Sequence, residues 1–181
     1  MNRTQLAHVL RAAADISGDG RILVIGSQAI LASYSAEELP DSITLSVEAD
    51  ITFFDDIDDA KSDRVDGAIG EGSKFHETFG YYGQGVSIST ATLPAGWEDR
   101  LVSFSPADSK PAEGVCLDPV DLVVAKLVAG REKDLSFAAD LVASGHVEVT
   151  DLRERAELLR VVGAVRRRVF GHVEHLARRR N

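Results

Sequence analysis

The apolar run Ile22-Leu23-Val24-Ile25 ends in Gly26-Ser27, and Gln28-Ala29-Ile30-Leu31 then resumes with the pattern of a packed helix. Downstream, Val47-Glu48-Ala49-Asp50-Ile51-Thr52-Phe53-Phe54 alternates as a strand. Side chains i and i+2 of a strand leave the same face, so Glu48 and Asp50 project side by side, opposite Val47, Ala49, Ile51 and Phe53. Such a chain has to bury one face of the second strand and find a use for the charged one. Two parallel carboxylates beside a Gly-Ser turn at a helix N-terminus suit a divalent cation and the phosphates it neutralises.

Each half of this pattern also has a plain structural reading. Gly26-Ser27 can be an ordinary strand-to-helix turn with a serine N-cap. A strand with outward carboxylates can be an edge strand protected against aggregation. The acids that follow, Asp55, Asp56, Asp58, Asp59, Asp63 and Asp66, read as a solvated loop and helix face.

The 181 residues suffice for one domain, or one domain with a helical appendage, and the 44% apolar content supports a real core. No apolar run approaches the roughly 20 residues a membrane span needs. The N-terminus flows into a helical pattern and lacks the apolar block of a signal peptide. A single cysteine, Cys116, excludes an intramolecular disulfide framework, and a cytoplasmic location is the simplest expectation. Charge is uneven: residues 151–181 carry nine Arg against four acids, whereas residues 1–150 carry a net of −14. The bulk of the chain therefore repels nucleic acid, while its C-terminal segment attracts it or a protein partner.

The pattern predicts a helix over 2–15, a strand over 21–25, a helix over 28–33, a strand over 45–54 and a helix over 58–70. The glycine- and tyrosine-rich stretch 80–85 reads as loop. Residues 85–89 and 100–104 alternate as strands around a Leu93-Pro94-Ala95-Gly96-Trp97 turn, and 115–117 is a short strand. Asp118-Pro119 is a strong helix start. Helices follow over 119–130 and 132–144, with one or two between 150 and 179. The expectation is an α+β fold: an α/β core over residues 1–117, with a small mixed sheet and flanking helices, and a helical region over 118–181.

Within the first C-terminal helix, Lys126 stands among Val124, Ala125 and Leu127 and must either snorkel outward or meet an anion. Arg131 and Asp134, three apart, either form a helical pair or join Lys126 in a site. Cys116 sits in an apolar context and the five histidines are scattered, so neither a thiol nucleophile nor a zinc site is expected.

Taken together, Gly26-Ser27, the Ser46-x-Glu48-x-Asp50 strand and Asp121-Leu122-x-x-x-Lys126-Leu127-x-Ala129-x-Arg131-x-x-Asp134 resemble the minimal nucleotidyltransferases of bacterial toxin–antitoxin systems. These are the AbiEii-like and MenT-like toxins and an actinobacterial sub-family long known as a domain of unknown function. His76, Gly80-Tyr81-Tyr82-Gly83-Gln84-Gly85-Val86 and Leu93-Pro94-Ala95-Gly96-Trp97 add to the resemblance, which spans roughly residues 20–145. It implies a DNA-polymerase-β-like fold and transfer of a nucleotide from an NTP with Mg²⁺, the acceptor being the 3′ end of tRNA and the activity countered by a cognate antitoxin. By position, Gly26 and Ser27 match the phosphate-binding pair and Glu48 and Asp50 the metal-binding carboxylates. Lys126 matches the phosphate-contacting lysine and Asp134 the first acid of the family's Arg-Asp helix.

The chain departs from that pattern in three places. The gap from Gly26 to Glu48 is long. Glu48 stands where Asp is usual, which leaves open a register in which Asp50 is the first acid and Thr52 replaces the second. Phe137 occupies the place of the helix's second acid, with Asp140 one turn later.

On this reading Glu48 and Asp50 hold Mg²⁺, Gly26 and Ser27 anchor phosphates, and Lys126 with Arg131 offsets transition-state charge. Asp134 orients those cations or activates the acceptor hydroxyl. Tyr81 and Tyr82 either stack on a base or pack internally, and Arg166, Arg167, Arg168, Arg178, Arg179 and Arg180 either grip tRNA or form a solvated helix end. The competing readings are transfer to a small-molecule or protein hydroxyl, and a degenerate, non-catalytic interaction protein.

Overall fold

A computed structural model describes residues 1–180, with the side chain of Arg180 outside the described set; the expected grip at Arg180 therefore lies outside it. Helix α1 (Arg3–Ser17) opens with a capping box between Asn2 and Gln5 and closes on Gly18 in the left-handed conformation. Strand β1 (Arg21–Val24) leads through Gly26 into a short 3-10 helix (Ser27–Ala32). Helix α2 (Asp41–Thr44) precedes strand β2 (Glu48–Thr52), and helices α3 (Ala60–Ile69) and α4 (Lys74–Phe79) lead to strand β3 (Tyr82–Gly85). Strands β4 (Val102–Phe104) and β5 (Glu113–Cys116) complete the sheet. Helices α5 (Pro119–Ala129), α6 (Glu132–Ala143), α7 (Val149–Glu157) and α8 (Gly163–Arg180) make up the C-terminal third.

The sheet order is β3-β2-β1-β5-β4, with β1–β5 and β2–β3 parallel and β1–β2 and β4–β5 antiparallel. This is the expected α+β arrangement: a small mixed sheet, flanking helices and a helical end. Strand β2 lies between β3 and β1, so its carboxylates are not the outward charges of an edge strand. Helices α1 and α3 cover the face that carries Ala49 and Ile51, both fully buried. Glu48 and Asp50 necessarily leave by the other face.

Two local expectations fail. Residues 82–85 form a strand rather than a loop, and 88–90 form a turn of 3-10 helix rather than a strand. Gly83 and Gly85 read as loop formers, yet both are extended strand residues that face α3 and α1. A Cβ on Gly85 would overlap the Ser62 carbonyl oxygen and approach its carbon to 2.7 Å. The glycines are there to let helix and strand meet closely.

The acids after β2 are structural or solvated. Asp56 accepts hydrogen bonds from the Lys61 and Ser62 backbone N–H groups, at 2.6 and 2.9 Å, and from the Ser62 hydroxyl at 2.7 Å, fixing the start of α3. The helical third is keyed to the core through fully buried Asp121, which Arg100 grips with Nε and Nη2 at 2.8 and 3.0 Å and Arg155 meets at 2.8 Å. Among the described residues, no helix is long and apolar enough to cross a membrane.

Two alanine substitutions of opposite sign test the helix–strand contact. Gly85→Ala should destabilise by about 1–3 kcal/mol, because backbone on α3 has to move. Gly67→Ala, within α3 where nothing lies near the added methyl, should stabilise by roughly 0.5–1 kcal/mol. Urea unfolding of both variants provides the measurement.

Candidate active site

The site is built where β1 and β5 run out and β2 begins. The Ile25 N–H donates to the Asp50 carbonyl at 3.1 Å and the Leu117 N–H to the Val24 carbonyl at 3.2 Å. These two bonds fix Gly26, Asp50 and the start of α5 at one end of the sheet. Gly26 has ordinary extended dihedrals, so its conformation does not demand glycine. Its missing side chain does: a Cβ there would overlap Asp50 Oδ2 and come within 2.7 Å of Asp50 Cβ. The Asp50 carboxylate lies over the bare backbone of the Gly-Ser turn. Only a six-residue 3-10 helix follows that turn, so the helix dipole the sequence suggested is short, and Ala29 N–H already bonds the Gly26 carbonyl at 3.0 Å.

Glu48 and Asp50 open into a cleft of about 330 Å³ that Ser27, Lys126, Arg131 and Asp134 also line. Ser27, Glu48, Asp50, Lys126, Arg131 and Asp134 therefore meet around one space, with Gly26 on an adjoining cavity. Thr52 is 1% exposed and does not line the cleft, whereas Glu48 lines it beside Asp50.

Burial, the Asp50 charge and a hydrogen bond with Asp50 push the Glu48 carboxyl above its ordinary range, against an opposing pull from Lys133. Tyr82 is paired in register with Glu48 on β3 and lies beside it. Burial, together with the charges of Glu48, Glu71 and Asp50, raises that phenol to about 12, so it stays protonated.

Across the cleft, Asp134 has no exposed surface. Lys126 Nζ donates to its Oδ1 at 3.2 Å, and Arg131 Nε donates to its Oδ2 at 2.6 Å. Burial pushes the Asp134 carboxyl up, but these bonds and charges outweigh it and hold the group below its ordinary value. Lys126 does not snorkel: its side chain is 15% exposed and its ammonium sits 4.7 Å from the Phe137 ring centroid. Phe137, where the resemblance leads one to expect a second acid, thus offers a π face to the lysine. Asp140 lines the same cleft and accepts a hydrogen bond from Ser42 at 2.6 Å.

The structure adds residues that the sequence did not flag. Ser42 and Ile43 of α2, Ser46, Lys133 and Ser136 line the cleft. The long Gly26–Glu48 gap thereby gains a role, since it carries the α2 wall. Lys133 was visible between Arg131 and Asp134, whereas nothing local marked Ser42. Neither tyrosine is free to stack a base. Tyr81 hydrogen-bonds His8 at 2.8 Å within a cluster of Phe75 and Phe79, and Tyr82 is buried beneath Glu48 and His76. Cys116 is buried and its thiol pushed up to about 12, which excludes it as a nucleophile.

Among the described residues, no group of three or more His, Cys, Asp or Glu is arranged to hold a metal ion. Glu48 and Asp50 are a pair of hard oxygen donors whose mutual repulsion shows in the raised Glu48. That donor set fits Mg²⁺, which takes one or two carboxylates and completes its shell with water and substrate phosphates.

The chain matches, over residues 4–167, the family described as nucleotidyltransferase of unknown function (DUF6036), and it belongs to that family. No curated protein and no solved structure gives a significant match.

Asp50→Asn removes a charge that raises Glu48, so the Glu48 carboxyl should titrate at lower pH. NMR titration of the labelled side chain reads the shift; an unchanged value would contradict the assigned repulsion.

Proposed function

We propose that this member of the family transfers a nucleoside monophosphate from an NTP to a hydroxyl acceptor in the Glu48–Asp50–Lys126–Asp134 cleft. The observation that carries the reading is the Asp50 carboxylate lying against the Gly26 backbone, with Lys126 and Arg131 held across the same space by buried Asp134. Phosphoryl transfer needs position and charge more than covalent chemistry, and this cleft supplies both.

Glu48 and Asp50 would hold Mg²⁺, which when bound offsets charge on the triphosphate. Ser27 offers its hydroxyl to a phosphate oxygen, and Gly26 keeps that approach open. Lys126 and Arg131 face the phosphates where negative charge spreads in the transition state. Asp134 is a positioning residue for both cations: its carboxylate is already engaged by them, so it orients rather than takes a proton. Lys133 and the hydroxyls of Ser42, Ser46 and Ser136 extend the polar lining towards the leaving pyrophosphate.

The resemblance to toxin–antitoxin nucleotidyltransferases makes the tRNA 3′ end the acceptor in this reading, and a cognate antitoxin the partner that silences it. Exposed Arg167, Arg178 and Arg179 on α8 are the free charges for such a contact. Arg166 and Arg168 have structural tasks, since they bond the Leu159 carbonyl at 3.0 Å and the Val128 carbonyl at 2.7 Å.

Two outcomes are expected. Asp50→Asn should remove NTP-dependent labelling of tRNA, a loss of at least about 100-fold, while keeping wild-type circular dichroism; Lys126→Ala should lose labelling to a similar extent and also destabilise the helical third, because it leaves buried Asp134 short of a partner. Undiminished labelling by Asp50→Asn would overturn the proposal. Mg²⁺ should raise the melting temperature most at neutral pH. The folded Glu48 carboxyl titrates above its ordinary value of 4.5, so between the two values the folded chain holds more proton than the unfolded one. Stability contributed there falls as pH rises through the folded value, and a cation restores it only where the proton has left. Equal Mg²⁺ stabilisation at acid and neutral pH would exclude the Glu48–Asp50 pair as its site.

A further inference from the structure

Gln28 interrupts two apolar runs, Ile22–Ile25 and Ala29–Leu31, and its side chain is fully buried at the start of the 3-10 helix. Its amide is poorly satisfied there. Nε2 donates to Ser27 Oγ at 3.5 Å and to the Ser46 carbonyl at 3.4 Å, at the long end of the hydrogen-bonding range. Among the described residues, Gln28 Oε1 is the one buried side-chain polar atom with no hydrogen-bond partner. Other fully buried polar side chains are gripped closely: Ser62 at 2.7 Å, Asp121 at 2.8 Å and Ser109 at 2.9 Å.

A methionine or leucine would fill a similar volume without desolvating an amide, and an unpaired buried acceptor is destabilising. Stability therefore does not account for glutamine at this position. The Oε1 end gains nothing, so the N–H end is what distinguishes the residue, and both groups it meets belong to the cleft, which Ser27 and Ser46 line. The Ser46 carbonyl can only accept, which fixes Nε2 as the end that faces it and Oε1 as the orphan. Ser46 in turn is tied to Glu48: its Oγ donates to the Glu48 carbonyl and accepts from the Glu48 N–H, both at 3.3 Å. One buried amide thus links the serine of the Gly-Ser turn to the start of the strand that carries the carboxylates.

We infer that Gln28 is a positioning residue that aims the Ser27 hydroxyl into the cleft. A hydroxyl has one proton to give and two lone pairs to offer. With the Gln28 N–H on one lone pair, the Ser27 proton turns away from the amide and towards the open side, where a phosphate oxygen would stand. Bonds in series strengthen one another, so a hydroxyl that accepts from an amide is a better donor. A phosphate that draws on this proton makes Oγ a better acceptor in return, and the long Nε2–Oγ contact shortens as the cleft fills. That the phosphate belongs to an NTP rests on the nucleotidyl-transfer reading; the aim of Ser27 needs only a phosphate.

The test is a double-mutant cycle of Gln28→Met and Ser27→Ala in the full chain. Inorganic tripolyphosphate and ATP, each with Mg²⁺, are titrated by calorimetry. Gln28→Met should weaken tripolyphosphate binding about three- to tenfold. Its melting temperature should not fall, because the orphan acceptor goes with the donor. In the Ser27→Ala background the same change should alter affinity by less than about twofold, since no hydroxyl remains to be aimed. KM for the NTP should rise in step while kcat stays within about twofold. Gln28→Leu repeats the test with a shorter side chain. Equal losses in the two backgrounds, unchanged affinity in the single variants, a loss confined to kcat, or failure of both Gln28 variants to fold would each overturn the assignment. Polyphosphate binding that follows the cycle in a protein that labels no acceptor would uphold Gln28 and overturn the transfer reading. Labelling of an acceptor with equal losses in both backgrounds would do the reverse, and a wild-type chain that binds no polyphosphate would overturn both.

Discussion

The Asp134 carboxylate has no contact with solvent, and a charge in that position is tolerable only while it is paired. Its partners come from two directions, Lys126 on α5 and Arg131 at the start of α6. The pair of bonds fixes the angle between those helices at the cleft and draws a lysine that would otherwise reach water onto the Phe137 ring. Removing either cation leaves a desolvated charge short of a partner, so the wall of the site and the packing of the helical third are maintained by one interaction. Pairing also sets its electrical character. With Asp134 balanced against one cation, the second retains its charge for whatever enters.

Opposite that wall the constraint is steric. Asp50 occupies the space a side chain at position 26 would fill, and the antiparallel β1–β2 pairing, with Leu23 opposite Thr52 and Val24 opposite Ile51, holds the two in register. A shift of one residue would turn Glu48 and Asp50 into the core and Ala49 and Ile51 out of it. The hydrophobic pattern of β2 thus locks the orientation of the carboxylates. Their mutual repulsion, seen in the raised Glu48, is a local cost that the buried side of the same strand offsets.

Most of this arrangement was legible in the sequence, because alternation along β2, the Gly-Ser break and the Asp118-Pro119 start are local signals read without tertiary context. Lys126 was ambiguous for a physical reason: snorkelling and burial look alike until the partner's position is known, and Asp134 is supplied by another helix. Gly83 and Gly85 misled because a glycine that admits a neighbouring helix is indistinguishable, in sequence, from one that makes a loop. Ser42 was unreadable, since a serine in a four-residue helix joins the site only through the packing of α2 on α6. Tyr82 fell between these cases. Its place beside Glu48 follows from the β2–β3 register, which no local pattern revealed.

Distribution of charge explains how a chain with a net charge of −9 can gather Lys126, Arg131 and Lys133 in one cleft. The acids of the segment 55–66 lie on α3 or in the loop before it, and α3 packs on the face of the sheet that Glu48 and Asp50 do not use. At physiological ionic strength, exposed charges more than about 8 Å away are largely screened. A ligand entering the cleft therefore responds to the nearest groups, Lys126, Arg131 and Lys133 together with Glu48, Asp50 and Asp140, rather than to the net charge. The same screening leaves the far face free to be acidic without setting the field inside the cleft.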